Sequence, residues 1–226
     1  MIAAIFDLDG TLYSGHIFRG LVRYHQAHHI RRLPFYVALG AQVATWPLWL
    51  AGVFPETKLR ELSLDTMGWI AWGWTKEEAD QAFSWVAHDY VAPRVYPEVL
   101  ARLRHHQSAG HRVILVSGTF APLLAAIGRQ LDISDTVGTP LILRNGHYTG
   151  RCEHPLCQGK GKWLRLQSHV VDDAVDWQAS YAYADSHTDI PLLEKVGHPV
   201  AVEPDPELAA HARAHDWEIL ELSAQG

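Results

Sequence analysis

The chain has 226 residues, enough for an α/β core and a smaller accessory domain. A formal net charge of −6 with no block of Lys or Arg argues against a nucleic-acid partner. The two cysteines, Cys152 and Cys157, are too few for a disulfide framework and form no Cys/His quartet at zinc spacing.

The first strand is predicted at once, in Ile2-Ala3-Ala4-Ile5-Phe6, and it stops at Asp7-Leu8-Asp9-Gly10-Thr11. No signal peptide precedes it, so a bacterial-type cytoplasmic enzyme is expected. Side chains alternate along a strand, so Asp7 and Asp9 leave its end on the same side, and Gly10 permits a sharp turn. A helix is predicted from Leu12 to Arg32 on the spacing of Ile17, Phe18, Leu21, Val22 and Tyr24. Residues 33–55 then carry no charge at all. The length suits a membrane span, but Pro34, Pro47 and two glycines count against one. Two readings stay open: a buried helical hairpin, or a face for a membrane surface with Trp46 and Trp49 at the interface.

Lys58 to Gly73 is amphipathic, and Thr75 with Glu78 makes a capping box for a further helix carrying Ala79, Phe83 and Val86. Residues 14–91 therefore read as a helical insertion. After a linker at Pro93–Tyr96, a helix from Pro97 leads through Gly110 into a buried strand, Arg112–Val116, ending at Ser117-Gly118-Thr119. A helix follows near Pro122, so Ser117 and Gly118 sit in a natural anion cradle. Leu141 to Tyr148 reads as a hairpin with an Asn145-Gly146 turn. Lys160 and Lys162 open another helix. A strand at Ser180–Ala184 ends at Asp185-Ser186-His187-Thr188-Asp189, and Pro199–Val202 is the last strand predicted, with a final helix beyond Pro206. Strands alternating with helices predict a three-layer, Rossmann-like parallel sheet whose site lies at the carboxyl ends of the strands. Residues 1–13 and 92–226 form the core in this reading, and 14–91 the all-helical cap.

Three strand ends thus deliver Asp7 and Asp9, Ser117, and Asp185 and Asp189. Clustered carboxylates without an imidazole or thiolate partner favour Mg²⁺ over zinc, and the cation cancels their repulsion of a phosphate. Phosphoryl transfer onto an aspartate fits this set.

Asp7-Leu8-Asp9-Gly10-Thr11, Val116-Ser117-Gly118-Thr119, Lys162, and Ala184-Asp185-Ser186-His187-Thr188-Asp189 resemble, in order, the four motifs of haloacid dehalogenase-like phosphatases. The helical insertion after motif one makes the chain similar to the phosphoserine phosphatase-like branch, within subfamily IB, where phosphatidylglycerophosphatase C also belongs. The resemblance implies that Asp7 is the nucleophile and Asp9 the general acid and base. It implies that Ser117 and the Gly118 amide hold phosphoryl oxygens, and that Lys162, or Lys160 two residues away, offsets transition-state charge. It further implies that Asp7, the Asp9 backbone carbonyl, Asp185 and Asp189 hold Mg²⁺. Thr11, His16 and Arg60 are candidate substrate contacts, with Lys58 beside Arg60.

Two departures bear on the substrate. Phosphoserine phosphatases carry a glutamate soon after motif one that reads the substrate ammonium, whereas here that place falls near His16 and no acid occurs between Asp9 and Glu56. Motif four has Ala184, Ser186 and Thr188 where the branch usually has Gly, Gly and Asn. The expected partner is a small phosphate ester. The alternative is a lipid phosphate presented to a protein held peripherally at a membrane through residues 33–55. A phosphotransferase with an alcohol acceptor and a non-catalytic scaffold are the remaining readings. A monomer or homodimer is expected.

Overall fold

The computed structural model describes residues 1–28, 65–170 and 174–223, with positions 36–37, 40–41 and 43 between them. In chain order the elements are β1 (Ala3–Phe6), α1 (Ile17–His28), α2 (Lys76–Trp85), α3 (Pro97–Ser108), β2 (Arg112–Phe120) and α4 (Ala121–Gln130). Then come β3 (Thr136–Thr139), β4 (Leu141–Arg144), β5 (His147–Cys152), α5 (Lys160–His169) and β6 (Tyr181–Ala184). The short α6 (Ile190–Leu193), β7 (His198–Val202), α7 (Pro206–Ala214) and β8 (Glu218–Leu220) complete the chain.

Six strands pair in the order β3-β2-β1-β6-β7-β8, all parallel. Alternation sends Ala4, Phe6, Leu115 and Tyr183 to one face and Ala3, Ile5, Ile114 and Ala182 to the other, and each face is covered by helices. The result is the three-layer α/β sheet expected from the sequence. From β1 the chain moves outward through β2 and β3, then returns to add β6, β7 and β8 on the opposite side. That reversal opens a crevice beside the carboxyl end of β1, between β2 and β6. Two short edge strands, β3 and β8, went unpredicted because Thr136–Thr139 and Glu218–Leu220 lack an apolar run.

The described part of the insertion between β1 and β2 is helical. Thr75 caps α2 as expected: its hydroxyl accepts from Glu78 N at 3.2 Å, and Glu78 accepts from Thr75 N at 2.8 Å. The helix then continues through a wider π-helical stretch, Val86–Val91. The β4–β5 hairpin turns on Asn145 and Gly146, both with positive φ. It is bonded to the insertion rather than to the main sheet, through Gly73 N to Tyr148 O (2.8 Å) and Tyr148 N to Trp74 O (2.8 Å). Ile70, Trp74 and Phe83 of the insertion share one continuous apolar core with Phe6, Leu115 and Tyr183.

Below the site, β1 and β6 are tied through α3. The Phe6 and Tyr183 rings stack at 4.3 Å, and buried His106 holds the Tyr183 hydroxyl at 2.9 Å and His111 Nδ1 at 2.8 Å. Burial, with His111, His105 and Arg102 nearby, lowers the His106 pKa to about 4. The folded state thus keeps His106 neutral over a range where the unfolded chain takes up a proton. Stability should be full above pH 6.5 and decline toward pH 4, by on the order of 2–3 kcal/mol from this residue. Urea unfolding of wild type and His106→Gln at pH 7.5 and 5 checks this: the variant should lose less on acidification.

Candidate active site

Asp7 follows the last residue of β1 and is buried; its backbone N–H bonds to Tyr183 O at 3.0 Å, which fixes it against β6. Asp185 follows β6, and Asp189 lies one short turn further on. One oxygen from each of Asp7, Asp185 and Asp189 falls within a 4.8 Å set. Such a buried, all-oxygen donor set fits a hard divalent cation. Burial, then repulsion from Asp7 and Asp189, raises the Asp185 pKa to about 7. Gly10 makes this approach possible. Its φ is +79°, and a Cβ there would lie 2.2 Å from Asp185 Oδ2, so any side chain would strain the backbone and push the Asp185 carboxylate aside.

Lys162 is buried in the first turn of α5, with its ammonium 2.6 Å from Asp7 Oδ1 and 2.7 Å from Asp189. Burial opposes its charge, but Asp189 and Asp7 outweigh burial and hold its pKa above the ordinary lysine value. Lys160 is exposed and meets neither carboxylate. Of the two lysines left open by the sequence, Lys162 is therefore the one at the carboxylates.

Asp9 lines the same cavity, but its carboxylate is engaged differently. Oδ1 accepts from the Tyr13 hydroxyl at 2.7 Å and from Ile17 N, the first residue of α1, at 3.0 Å. Burial raises its pKa to about 7 against the lowering effect of the Tyr13 bond. Neutrality near physiological pH suits a group that both gives and takes a proton. Asp9 also links the loop after β1 directly to the start of α1.

Ser117 and Gly118 line the same cavity as these carboxylates. The sequence places Ser117 just past the second strand, whereas β2 runs on to Phe120 with a register shift against β3 between Val116 and Phe120. That irregularity frees the backbone around Gly118 from regular pairing, and Thr139 Oγ1 pins it by donating to Gly118 O at 2.9 Å. Thr11 is buried with its hydroxyl donating to Asp185 Oδ1 at 3.1 Å, and it is not part of the cavity wall. His16 is exposed at the cavity mouth. Arg60, Lys58, Trp46 and Trp49 lie outside the described residues, as does most of 33–55. No helix among the described residues is long and apolar enough to cross a membrane.

Several contributors escaped the sequence reading. Tyr13 was visible as a residue four beyond Asp9, within one turn, but nothing local says that its hydroxyl meets that carboxylate. Asp205 caps α7 through Leu208 N at 2.8 Å and accepts from His187 N (2.9 Å) and Nδ1 (2.7 Å), while its own N–H bonds to Asp185 O at 2.8 Å. It braces the motif-four loop from the end of β7. Phe18, Arg19 and Met67 line the cavity from the insertion.

The haloacid dehalogenase-like hydrolase family model matches residues 4–194, from β1 through α6. The inhibition of morphological differentiation protein of Streptomyces azureus is 29% identical over 222 residues, covering 97% of this chain and 78% of that protein. Phosphoserine phosphatase SerB1 of Mycobacterium tuberculosis is 28% identical over 234 residues, covering 97% of this chain and 70% of that one. The matched segment takes up about half the length (52%) of other curated relatives. A crystal structure of a protein of unknown function from Bordetella pertussis Tohama I superposes with a TM-score of 0.82 at 23% identity, covering 99% of this chain and all of that one. The motif order, the parallel sheet and the matched residues agree: the chain belongs to the haloacid dehalogenase-like hydrolase family, in its phosphoserine phosphatase-like branch, and is a phosphoric monoester hydrolase.

Proposed function

We propose that this chain is a Mg²⁺-dependent phosphatase of small phosphate monoesters that works through an aspartyl-phosphate on Asp7. The observation that carries the reading is the convergence of Asp7, Asp185 and Asp189 around the buried ammonium of Lys162. Mg²⁺ held by Asp7, Asp185, Asp189 and the Asp9 carbonyl would supply positive charge against the phosphoryl oxygens.

The protein groups account for the rest. An Asp7 oxygen attacks phosphorus, forming the P–O bond to the carboxylate as the bond to the leaving alkoxide breaks. The Ser117 hydroxyl and the Gly118 amide hold the phosphoryl oxygens, and Lys162 offsets charge built up in the transition state. Asp9, protonated, gives its proton to the leaving oxygen. As a carboxylate it then takes one from water, which attacks the acyl phosphate and releases inorganic phosphate with Asp7 regenerated. Tyr13 and Ile17 N both bond Asp9 Oδ1, which fixes the carboxyl group in the cavity wall. Residues 14–91 serve as a cap that excludes water while Asp7 is phosphorylated.

The second reading, a lipid phosphate met at a membrane surface, rests on the uncharged stretch 33–55. One screen tests both. With Mg²⁺ the protein should hydrolyse p-nitrophenyl phosphate, lose that activity to a chelator and regain it on Mg²⁺ addition. Phosphorylated metabolites should turn over faster than lysophosphatidate in anionic vesicles, and the protein should stay in the soluble fraction on flotation. No metal-dependent turnover of any ester refutes the phosphatase, and flotation with preferred lipid turnover replaces the metabolite by a lipid.

A further inference from the structure

The cavity above Asp7 has a volume of about 550 Å³, room for a small metabolite rather than a bare phosphate. Its two ends differ in charge. At the catalytic end stand four carboxylates and Lys162, whose ammonium is committed to Asp7 and Asp189. At the insertion end stand His16, Phe18, Arg19 and Met67, with no acidic residue among the described wall on that side.

Arg19 differs from the cations around it. Arg23, one turn on along α1, lies over the Tyr90 ring at 5.5 Å, and Arg94 lies over the same ring at 4.5 Å while donating to Tyr90 O at 2.6 Å. Those guanidinium groups are held by the protein. Arg19 has no side-chain hydrogen bond, ion pair or ring contact among the described residues, and it borders the substrate cavity. Its presence there carries a small cost, since Arg23 at i+4 repels it. Neither is the charge offset locally: the first turn of α1 has no acid.

We propose that Arg19 is a specificity-determining residue, binding a second anionic group, carboxylate or phosphate, at the end of the substrate remote from the scissile phosphate. This rests on the phosphatase reading of the same site. A guanidinium fork matches either oxyanion bidentately. Phe18 and Met67 would flank the short carbon chain between the two groups, and His16 would reinforce Arg19 when protonated. A substrate carrying an ammonium in that position would meet Arg19 and, among the described residues of that wall, no carboxylate, and so would be selected against.

The test compares kcat/KM for four substrates: 2-phosphoglycolate, 1,3-propanediol bisphosphate, propyl phosphate, whose distal end is uncharged, and O-phosphoethanolamine. Wild type should favour the first two over propyl phosphate by tenfold or more, with phosphoethanolamine poorest. The better of the two anionic esters identifies the distal group. In Arg19→Gln the anionic-to-neutral ratio should fall at least tenfold, mainly through KM, and Arg19→Lys should recover part of it. Arg19→Glu should move phosphoethanolamine above the anionic esters, a gain that misfolding cannot produce. Ratios near one in wild type, ratios unchanged in the variants, or an equal loss on all four substrates would overturn the assignment. Wild type active on p-nitrophenyl phosphate but on none of the four would also overturn it, whereas inactivity on p-nitrophenyl phosphate as well would refute the phosphatase reading beneath it.

Discussion

Asp7→Asn should lower turnover of p-nitrophenyl phosphate by at least about a thousandfold, because it replaces the attacking carboxylate by a poorly nucleophilic amide of the same shape. Asp7 is buried at the end of β1, where its backbone is bonded to Tyr183 O and one carboxylate oxygen is 2.6 Å from Lys162 Nζ. The amide can occupy the same volume, so far-UV circular dichroism should be unchanged while activity is lost. Acid quenching during turnover adds a direct readout. Wild type should carry one phosphoryl group on the peptide containing Asp7, and Asp7→Asn should carry none. A variant retaining a tenth of wild-type turnover, or a label elsewhere, would displace Asp7 as nucleophile.

Lys162→Met is the second large effect, and it should strike stability as well as rate. The ammonium lies between two buried carboxylates, at 2.6 Å and 2.7 Å, with Asp185 close by. Removing it leaves those charges buried without their cation, which costs about 3–5 kcal/mol for a group of this kind. The charge that builds on phosphorus also loses its counterion, for a fall in kcat of about 100-fold to 1,000-fold. Urea unfolding without divalent cation, alongside steady-state kinetics with Mg²⁺, separates the two losses. Mg²⁺ should restore part of the stability by taking over charge neutralisation, but little of the rate. Lys160→Met is the control: that exposed side chain, two residues away, should change stability by less than about 0.5 kcal/mol. Equal effects at the two positions would mean that the buried ion pairs carry no particular weight.

The core was legible because its signals are local. Ile2–Phe6, Arg112–Val116 and Pro199–Val202 are short apolar runs bounded by polar turns, as buried parallel strands require. The Thr75 and Glu78 cap and the Asn145-Gly146 turn are specified within a few residues, and both form. β3 and β8 were missed for the opposite reason. They are edge strands of three or four residues whose pairing partners, not their composition, make them extended. The end of β2 was misjudged for a related reason: Ser117, Gly118 and Thr119 look like a turn, yet the pairs on either side, at Val116 and Phe120, and the Thr139 hydroxyl keep them extended.

For this protein, the sequence by itself determined the parallel α/β architecture and which polar side chains stand at the carboxyl ends of its strands. Residue type and spacing decide where a strand ends, and the ends of parallel strands share one edge of the sheet. Tertiary structure alone decided the electrical state of each member of that set. It chose Lys162 over Lys160 by burying one ammonium between Asp7 and Asp189. It separated Asp9 from the other carboxylates through Tyr13 and Ile17, and it brought Arg19 into the wall of the same cavity. Those outcomes depend on desolvation and on distances between residues as far as 155 positions apart, quantities that arise only when the sheet closes.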